Sequence, residues 1–177
     1  MNQKSFTSKE FAATARKKGC NMKSLVYFFS NTGHNEILAQ ELQKYVPSEL
    51  EKIKDYEKRN FFRDSFYALI QKKVRIEPPI NDINNFERIF FVTPIWAGNF
   101  PAPVSTLLKQ FKDQFSGKEL YLVSVSGYGE KNIKIVQKFK KLTGADPKDF
   151  LLIGDDELKE RKFENKLQKF AAKITGE

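Results

Sequence analysis

A short polar segment after the first apolar run of the chain has the residue types of a phosphate-binding turn. The run reads SLVYFF, and the segment after it reads SNTGHN, residues 30–35. The hydroxyls of Ser30 and Thr32 and the backbone amides of such a turn can donate hydrogen bonds to an anion, and Gly33 lets the backbone approach closely. The positive end of the helix predicted to follow adds to this attraction. The segment therefore predicts a phosphate site, with a plain helix cap at Asn31 or Thr32 as the simpler alternative.

Two later loops each place one aromatic side chain among small residues, directly after a buried-type strand. They read TPIWAGNFPAP, after the run RIFFV, and SGYGE, after LYLVSV. Ligands of open parallel sheets bind beyond the carboxyl ends of the strands, where the strand order reverses, so we expect the three loops to meet. Two flat side chains beside a phosphate cradle suit a planar ligand that carries one phosphate. The residues predicted to hold this ligand are Ser30, Asn31, Thr32, Gly33, His34, Asn35, Thr93, Pro94, Ile95, Trp96, Ala97, Gly98, Asn99, Ser126, Gly127, Tyr128 and Gly129.

The ring-bearing side chains of these loops also have structural interpretations. Trp96 can be interpreted as a core or interface tryptophan held between Pro94 and Pro101. Tyr128 can be interpreted as a partly exposed loop tyrosine. His34 occupies a variable place in the first loop and is interpreted as a solvent-facing residue at a helix start, rather than as a catalytic acid.

Other classes of site are disfavoured by what the chain lacks. It contains neither GxxxxGK[ST] nor GxGxxG after a strand, which argues against nucleoside triphosphate sites and ordinary dinucleotide sites. One cysteine, Cys20, and one histidine supply no disulfide framework, no zinc or haem ligand set, and no triad beyond a single imidazole. The acidic run at 155–157 is interpreted as favourable charge at the start of the last helix. We therefore predict no metal site and no catalytic side chain.

Length and charge point to one moderately basic domain. A chain of 177 residues with 40% apolar residues suits a single domain, predicted over 22–177. Residues 1–21 hold a net charge of +4 out of +9 and are expected to form a flexible extension or to reflect an over-long gene start. The remaining charge is mixed in sign along the chain, which makes nucleic acid an unlikely partner. Since no stretch approaches a membrane helix or the apolar core of a signal peptide, we expect a cytoplasmic protein without a membrane partner.

Apolar runs of strand length alternate with helical periods, which is typical of βαβ units and a parallel sheet. In the second predicted helix, Phe62, Phe66, Leu69 and Ile70 share one face, which we expect to pack on the sheet. The alternative is that this face borders the ligand. The strands are predicted at 25–29, 49–53, 88–92, 120–125 and 150–153, and the helices at 33–45, 59–72, 100–111, 132–142 and 157–174.

With these motifs assembled, residues 22–174 resemble the flavodoxin-like family. Its first loop has the form Ser/Thr-x-Thr-Gly-x-Thr/Asn and binds the phosphate of FMN, a form that SNTGHN matches. Trp96 and Tyr128 lie where the family carries aromatic residues against the two faces of the flavin. Residues 56–73 resemble the longer second crossover of some subfamilies. The resemblance implies an α/β three-layer sandwich with a five-stranded parallel sheet of order 2-1-3-4-5, and FMN as the cofactor.

The resemblance implies electron transfer through a flavin held by the three loops, to a redox partner protein or a small-molecule acceptor. The alternative is an FMN-dependent enzyme that takes hydride from NAD(P)H and reduces a quinone or similar acceptor. A weaker alternative is a flavin-free interaction module. The chain departs from typical carriers in being basic, so we predict a less negative potential for the reduced flavin than acidic carriers have.

Overall fold

The strands and helices alternate along the chain in the predicted order. A computed structural model describes residues 22–57, 61–127 and 133–176, with the backbone alone at residue 61. The strands are β1 (Ser24–Phe28), β2 (Glu49–Lys52), β3 (Arg88–Pro94), β4 (Glu119–Ser126) and β5 (Asp149–Gly154). The helices are α1 (His34–Tyr45), α2 (Phe61–Leu69), α3 (Ala102–Gln110), α4 (Lys134–Thr143), α5 (Asp155–Lys159) and α6 (Phe163–Thr175), and short 3-10 helices span Ile83–Asn85 and Lys112–Phe115.

The five strands form one parallel sheet of order β2-β1-β3-β4-β5. At the carboxyl edge, Phe28 of β1 pairs with Val92 of β3, and Val92 pairs with Val123 of β4. This register brings the loops after β1, β3 and β4 to one edge of the sheet. The predicted α/β class and strand order are confirmed.

Alternate residues of the strands point into two separate cores, one on each face of the sheet. In β1, Leu25 and Tyr27 pack with side chains of α3 and α4, whereas Val26 and Phe28 pack with side chains of α1 and α6. This alternation is the period of two expected of a strand that is buried on both faces. The result is the three-layer arrangement of helices, sheet and helices.

The apolar face of α2 faces solvent, although the sequence predicted that it packs on the sheet. Phe62 and Phe66 are 82% and 56% exposed, so the prediction that they pack on the sheet is wrong. Among the side chains of 62–69, the buried ones are instead Asp64 and Ala68. Within 62–69, a small and a polar side chain therefore face the interior, and Phe62, Phe66 and Leu69 face solvent.

Two helix boundaries also differ from the predictions. The last helix, predicted as one element over 157–174, is divided into α5 and α6, with Arg161 between them at a φ of 56°. The helix predicted over 59–72 ends at Leu69, and Gln71 has a φ of 50°. Positive φ is costly for arginine and glutamine and is incompatible with a continuous α-helix. The helix therefore breaks at each of these residues, although no glycine or proline in the sequence predicts a break there.

Residues 1–21, where we predicted a flexible extension, lie outside the described residues, as do Tyr128 and Gly129. The same holds for the first two positions of the helix predicted at 59–72 and for the first position of the helix predicted at 132–142. Within the described ranges, no helix combines the length and the apolar composition needed to cross a membrane. The same ranges contain no cluster of histidine, cysteine or carboxylate side chains suited to a metal ion.

Candidate cofactor-binding site

An open cleft of about 710 Å³ lies at the carboxyl edge of the sheet, where the loops after β1, β3 and β4 meet. This volume includes space that is open to solvent; the space that water-sized molecules can occupy is about 280 Å³, near the lower end of the range of small-molecule and cofactor sites. We call it the carboxyl-edge cleft. Its lining residues are Thr32, His34, Asn35, Ser65, Pro94, Ile95, Trp96, Ala97, Val125, Ser126, Gly127, Asp155 and Leu158.

The first loop leaves the start of α1 open to a ligand. Gly33 takes a φ of 88° at the N-cap position, which strongly favours glycine, and it carries no side chain that could cap the helix. The simpler alternative from the sequence, a cap formed by Asn31 or Thr32, is therefore wrong. Asn31 instead donates its side-chain amide to Asp64 Oδ2 at 3.0 Å, and Thr32 Oγ1 lies 3.2 Å from His34 Nδ1. The amides of the first turn are left for another acceptor.

Three buried polar atoms at this edge lack a hydrogen-bond partner. Among the described residues they are Ser30 Oγ, Asn35 Oδ1 and Ser126 Oγ. A buried polar group without a partner costs about 1–3 kcal/mol, and native proteins leave few of them. Their position after β1, in α1 and at the end of β4 fits a polar ligand that supplies the missing partners.

The first loop borders two clefts, and Ser30 lies on the side of the second. It is 8% exposed, and with Asn31 it lines a second open cleft of about 1080 Å³ on the β2 side, next to Lys52 and Lys54. Thr32 and Asn35, from the same loop and helix start, line the carboxyl-edge cleft. The loop can thus hold a phosphate at its own turn while the rest of the ligand extends over the sheet edge.

The second loop is a tight hairpin turn that fixes the position of Trp96. The backbones of Trp96 and Asn99 exchange two hydrogen bonds of 2.9 Å, and the residues between them, Ala97 and Gly98, have φ angles of 47° and 70°. Positive φ at both central positions is the signature of a type I′ turn. The Ile95 amide also donates to Val125 O at 2.8 Å, which ties the loop to β4.

The ring of Trp96 is half-buried at the edge of the cleft. Its edge contacts Phe29, with ring centroids 5.7 Å apart and an interplanar angle of 76°. Trp96 packs against the core and also lines the cleft, so the interpretation as a core or interface tryptophan and the predicted place at the ligand site are compatible. The contact with Phe29 orients a flat surface next to the first loop.

One lysine of α4 clamps the second loop from the side away from the cleft. Lys138 Nζ donates to Gly98 O at 2.8 Å and to Asn99 Oδ1 at 2.6 Å. Asn99 in turn donates its side-chain amide to Ala97 O at 3.0 Å. The turn is therefore fixed by its own backbone, by Asn99 and by a charge-assisted contact from a neighbouring helix.

The structure sorts the predicted site residues into three groups. Nine line the carboxyl-edge cleft, namely Thr32, His34, Asn35, Pro94, Ile95, Trp96, Ala97, Ser126 and Gly127. Others support the loops without lining this cleft: Ser30 and Asn31 border the second cleft, Gly33 and Gly98 shape turns, and Thr93 and Asn99 are buried. Tyr128 and Gly129 lie outside the described residues, so their roles stay predictions.

Four lining residues were not predicted: Ser65 of α2, Val125 of β4, and Asp155 and Leu158 of α5. Asp155 and Leu158 follow the carboxyl end of β5, so the rule that drew attention to the other loops applies to them too. Asp155 also begins the acidic first turn of α5, as the sequence predicted. In that turn, the bond from the Gly154 amide at 2.9 Å and the contact with Lys166 lower the pKa of the Glu157 carboxyl.

Comparison with known proteins identifies the family of the chain. A model of the NADPH-dependent FMN reductase family matches residues 13–145, and the chain belongs to that family. No curated protein matches the sequence. The family match confirms the flavodoxin-like resemblance and FMN as the cofactor.

Solved structures share the fold at low sequence identity. A flavoprotein from Lactobacillus acidophilus NCFM, solved in complex with FMN, has a TM-score of 0.64 and 24% identity over 78% of this chain and 97% of its own. A flavodoxin from Streptococcus pneumoniae TIGR4 has a TM-score of 0.56 and 15% identity over 87% and 98% of the two chains. An NAD(P)H:quinone oxidoreductase from Methanothermobacter marburgensis has a TM-score of 0.53 and 12% identity over 88% and 98%.

Proposed function

We propose that the protein holds FMN in the carboxyl-edge cleft and acts as an oxidoreductase that takes electrons from NAD(P)H. The observation that carries the proposal is the buried, unpartnered hydroxyl of Ser30 beside the uncapped start of α1. Together they form a donor set for a phosphate, which is the group that distinguishes FMN from riboflavin. The reductase family to which the chain belongs supports NADPH as the electron donor.

Different residues of the site bind different parts of FMN. The hydroxyl of Ser30 and the first-turn amides of α1 hold the phosphate, and the positive end of the helix dipole adds to their attraction. Trp96 supplies a flat apolar surface for the ring system, kept in place by Phe29 and the type I′ turn. Asn35 and Ser126 offer buried polar atoms to the ligand.

Other lining residues exclude water and set the local charge. Ile95, Val125 and Leu158 give the cleft apolar walls, which lower the local dielectric and strengthen each polar contact to the ligand. Asp155 places a carboxylate on the lining, which disfavours additional negative charge in the cleft. Bound FMN supplies hydride and single-electron transfer, and the protein supplies orientation and electrostatics.

A one-domain electron carrier is the second candidate. It is favoured by the openness of the cleft to solvent, because a carrier passes single electrons through an exposed flavin edge and needs no site for a nicotinamide nucleotide. Both candidates use the same phosphate loop and the same ring platform. They differ in whether NAD(P)H reduces the bound flavin directly.

Anaerobic mixing of the FMN-loaded protein with NADPH, and separately with NADH, distinguishes the oxidoreductase from the electron carrier. For the oxidoreductase, the visible flavin absorbance bleaches on mixing, and NADPH is consumed with menadione as acceptor at about 1 s⁻¹ or faster. Protein that neither nucleotide reduces, but that dithionite reduces and a one-electron acceptor protein reoxidises, is a carrier. Free FMN at the same concentration is the control for uncatalysed reduction.

A further inference from the structure

The exposed face of α2 is an apolar ridge. Phe62, Phe66 and Leu69 are 82%, 56% and 57% exposed, and Ile70, just after the helix, is 51% exposed. Positions 62, 66 and 69 recur with the helical period, so these side chains lie on one side of the helix. Monomeric domains rarely leave several large apolar side chains side by side in water, and such a patch marks an interaction site.

The segment that carries this ridge is strongly cationic. Residues 58–75 contain six basic residues and one acidic residue, a net charge of +5. Residues 22–177 as a whole also have a net charge of +5, so the rest of the domain is balanced. Residues 131–148 have the same net charge of +5, so it is the combination of charge and apolar ridge that distinguishes α2. An apolar ridge inside a strongly cationic stretch suits an anionic partner with an apolar phase.

Contacts on α2 hold two of these cations beside the ridge. Lys72 Nζ lies 4.3 Å from the centre of the Tyr67 ring and 3.1 Å from its hydroxyl oxygen. The Arg63 guanidinium lies 5.7 Å from the same ring and also 3.7 Å from a carboxylate oxygen of Glu57. Lys73 and Arg75 follow as exposed residues. The cations are thus placed at the flank of the apolar side chains, as in helices that lie on anionic membranes.

We propose that α2 is a docking surface for an anionic lipid bilayer, with the ridge inserted among the lipid headgroups and the flanking cations on the lipid phosphates. Ser65 of the same helix lines the carboxyl-edge cleft, so this orientation brings the cleft close to the bilayer surface. The proposal goes beyond the proposed function and does not depend on it. It replaces the expectation of no membrane partner, which rested on the lack of a membrane-spanning stretch and does not bear on surface binding.

Other occupants fit the ridge less well. A second copy of the chain, or residues 1–21 with their net charge of +4, would bring like charges together. An acidic protein would need a complementary surface of about 800 Å² on each side, whereas the ridge is a convex line of side chains on a helix of nine residues. A fluid bilayer needs no shape complementarity, and a few aromatic side chains with flanking cations are sufficient for it.

Flotation of the full-length protein with lipid vesicles tests the proposal without NADPH or turnover. Vesicles of equal parts phosphatidylglycerol and phosphatidylcholine are compared with vesicles of phosphatidylcholine alone, at about 0.1 M and about 0.5 M salt. We expect binding to the mixed vesicles at the lower salt concentration and much weaker binding in the other conditions. FMN binding is measured separately, so failure of this proposal and failure of the proposed function are distinguishable.

Variants of α2 and matched controls locate the binding surface. Phe62→Ser/Phe66→Ser and Lys72→Glu/Lys73→Glu should each weaken vesicle binding at least about tenfold. The controls, Ile80→Ser at an 88% exposed position and Lys109→Glu/Lys169→Glu on α3 and α6, should bind better than these variants. Because all these side chains are exposed, circular dichroism should show a folded protein in every case.

Three results would overturn the proposal. The first is wild-type protein that stays unbound to the mixed vesicles, and the second is equal loss of binding in the α2 variants and their controls. The third is a dimer that the α2 variants dissociate. Salt-sensitive binding to poly-glutamate without vesicle binding would assign the ridge to an acidic protein partner instead.

Discussion

At the scale of single residues, the hydroxyl of Ser30 affects both the stability of the protein and the proposed binding of phosphate. It is buried without a partner, which is unfavourable in the protein alone. Directly after it, Gly33 turns the chain so that the first amides of α1 are left uncapped. In the proposed site, a phosphate at this turn accepts hydrogen bonds from these donors, so that binding would offset the energetic cost of leaving the Ser30 hydroxyl without a partner.

Ser30→Ala should therefore raise the Kd for FMN about 10- to 100-fold, because a hydrogen bond to a charged group contributes about 1.5–3 kcal/mol. The Kd for riboflavin, which has no phosphate, should stay unchanged. Fluorescence titration with both flavins measures the difference. Ser48→Ala removes another buried, unpartnered hydroxyl, away from the cleft, and is the matched control. Equal loss of affinity for FMN and riboflavin would contradict the phosphate role.

At the scale of the elements, the second loop is positioned by a helix far from it in sequence. Lys138 of α4 reaches both Gly98 O and Asn99 Oδ1 and so ties the type I′ turn to the helix layer. Trp96 begins this turn and is the only tryptophan in the chain, so its emission reports on the loop.

Lys138→Met should loosen the turn and shift the Trp96 emission to longer wavelength. It should also raise the Kd for FMN roughly 3- to 10-fold, since a charge-assisted contact of this kind contributes about 1–2 kcal/mol. Lys138→Arg should retain part of the affinity and of the emission. Lys134→Met, at an exposed position of the same helix, is the control. An unchanged emission maximum in Lys138→Met would show that the clamp does not position Trp96.

The elements also show what the sequence could and could not predict. The loops of the site were predictable because strand runs and the carboxyl-edge rule place them without knowledge of packing. The buried face of α2 was not predictable. A helical period shows which residues share a face, but not which face is buried. Asp64 turns inward, where it accepts the Asn31 amide, and Phe62 and Phe66 turn outward.

Four other residues of the cleft were missed. The carboxyl-edge rule could have found Asp155 and Leu158, which follow β5, whereas the residue types of Ser65 and Val125 carry no signal of their own. The break at Arg161 was missed because helices usually end at glycine or proline, and this one ends without either.

At the scale of the whole molecule, strands buried on both faces place two tyrosines in the core. Burial, followed by the charges of Glu51 and Asp82, raises the pKa of the Tyr27 hydroxyl. Burial, followed by the charge of Glu119, raises the pKa of Tyr121 to about 12 from 10.0. Both hydroxyls hold their protons more tightly in the folded state than in the unfolded chain.

The free energy of unfolding should therefore decline as the pH rises from about 10 to about 12. In this range the unfolded chain loses tyrosine protons that the folded state retains, so stability is present below pH 10 and is lost with rising pH. The slope reaches about 1.4 kcal/mol per pH unit for each such tyrosine. Urea unfolding across this range should give a flatter decline for Tyr121→Phe than for the wild type or for Tyr45→Phe. Equal slopes for the three proteins would contradict the burial argument.

Charge is the other property of the whole molecule that separates it from acidic carriers. One strongly cationic stretch, 58–75, is next to the cleft through Ser65. The less negative potential predicted from the sequence stays a prediction, and Asp155 on the lining acts against it. A spectroelectrochemical titration that gives a potential as low as that of acidic carriers would contradict it.

The central claim is that FMN binds in the carboxyl-edge cleft with its ring against Trp96. Titration of the protein with FMN, followed through the emission of this single tryptophan and of the flavin, tests it most directly. We expect both emissions to be quenched together at one FMN per chain, with a Kd of about 1 μM or tighter. Tryptophan emission that stays unchanged while FMN remains fully fluorescent at saturating concentration would contradict the account.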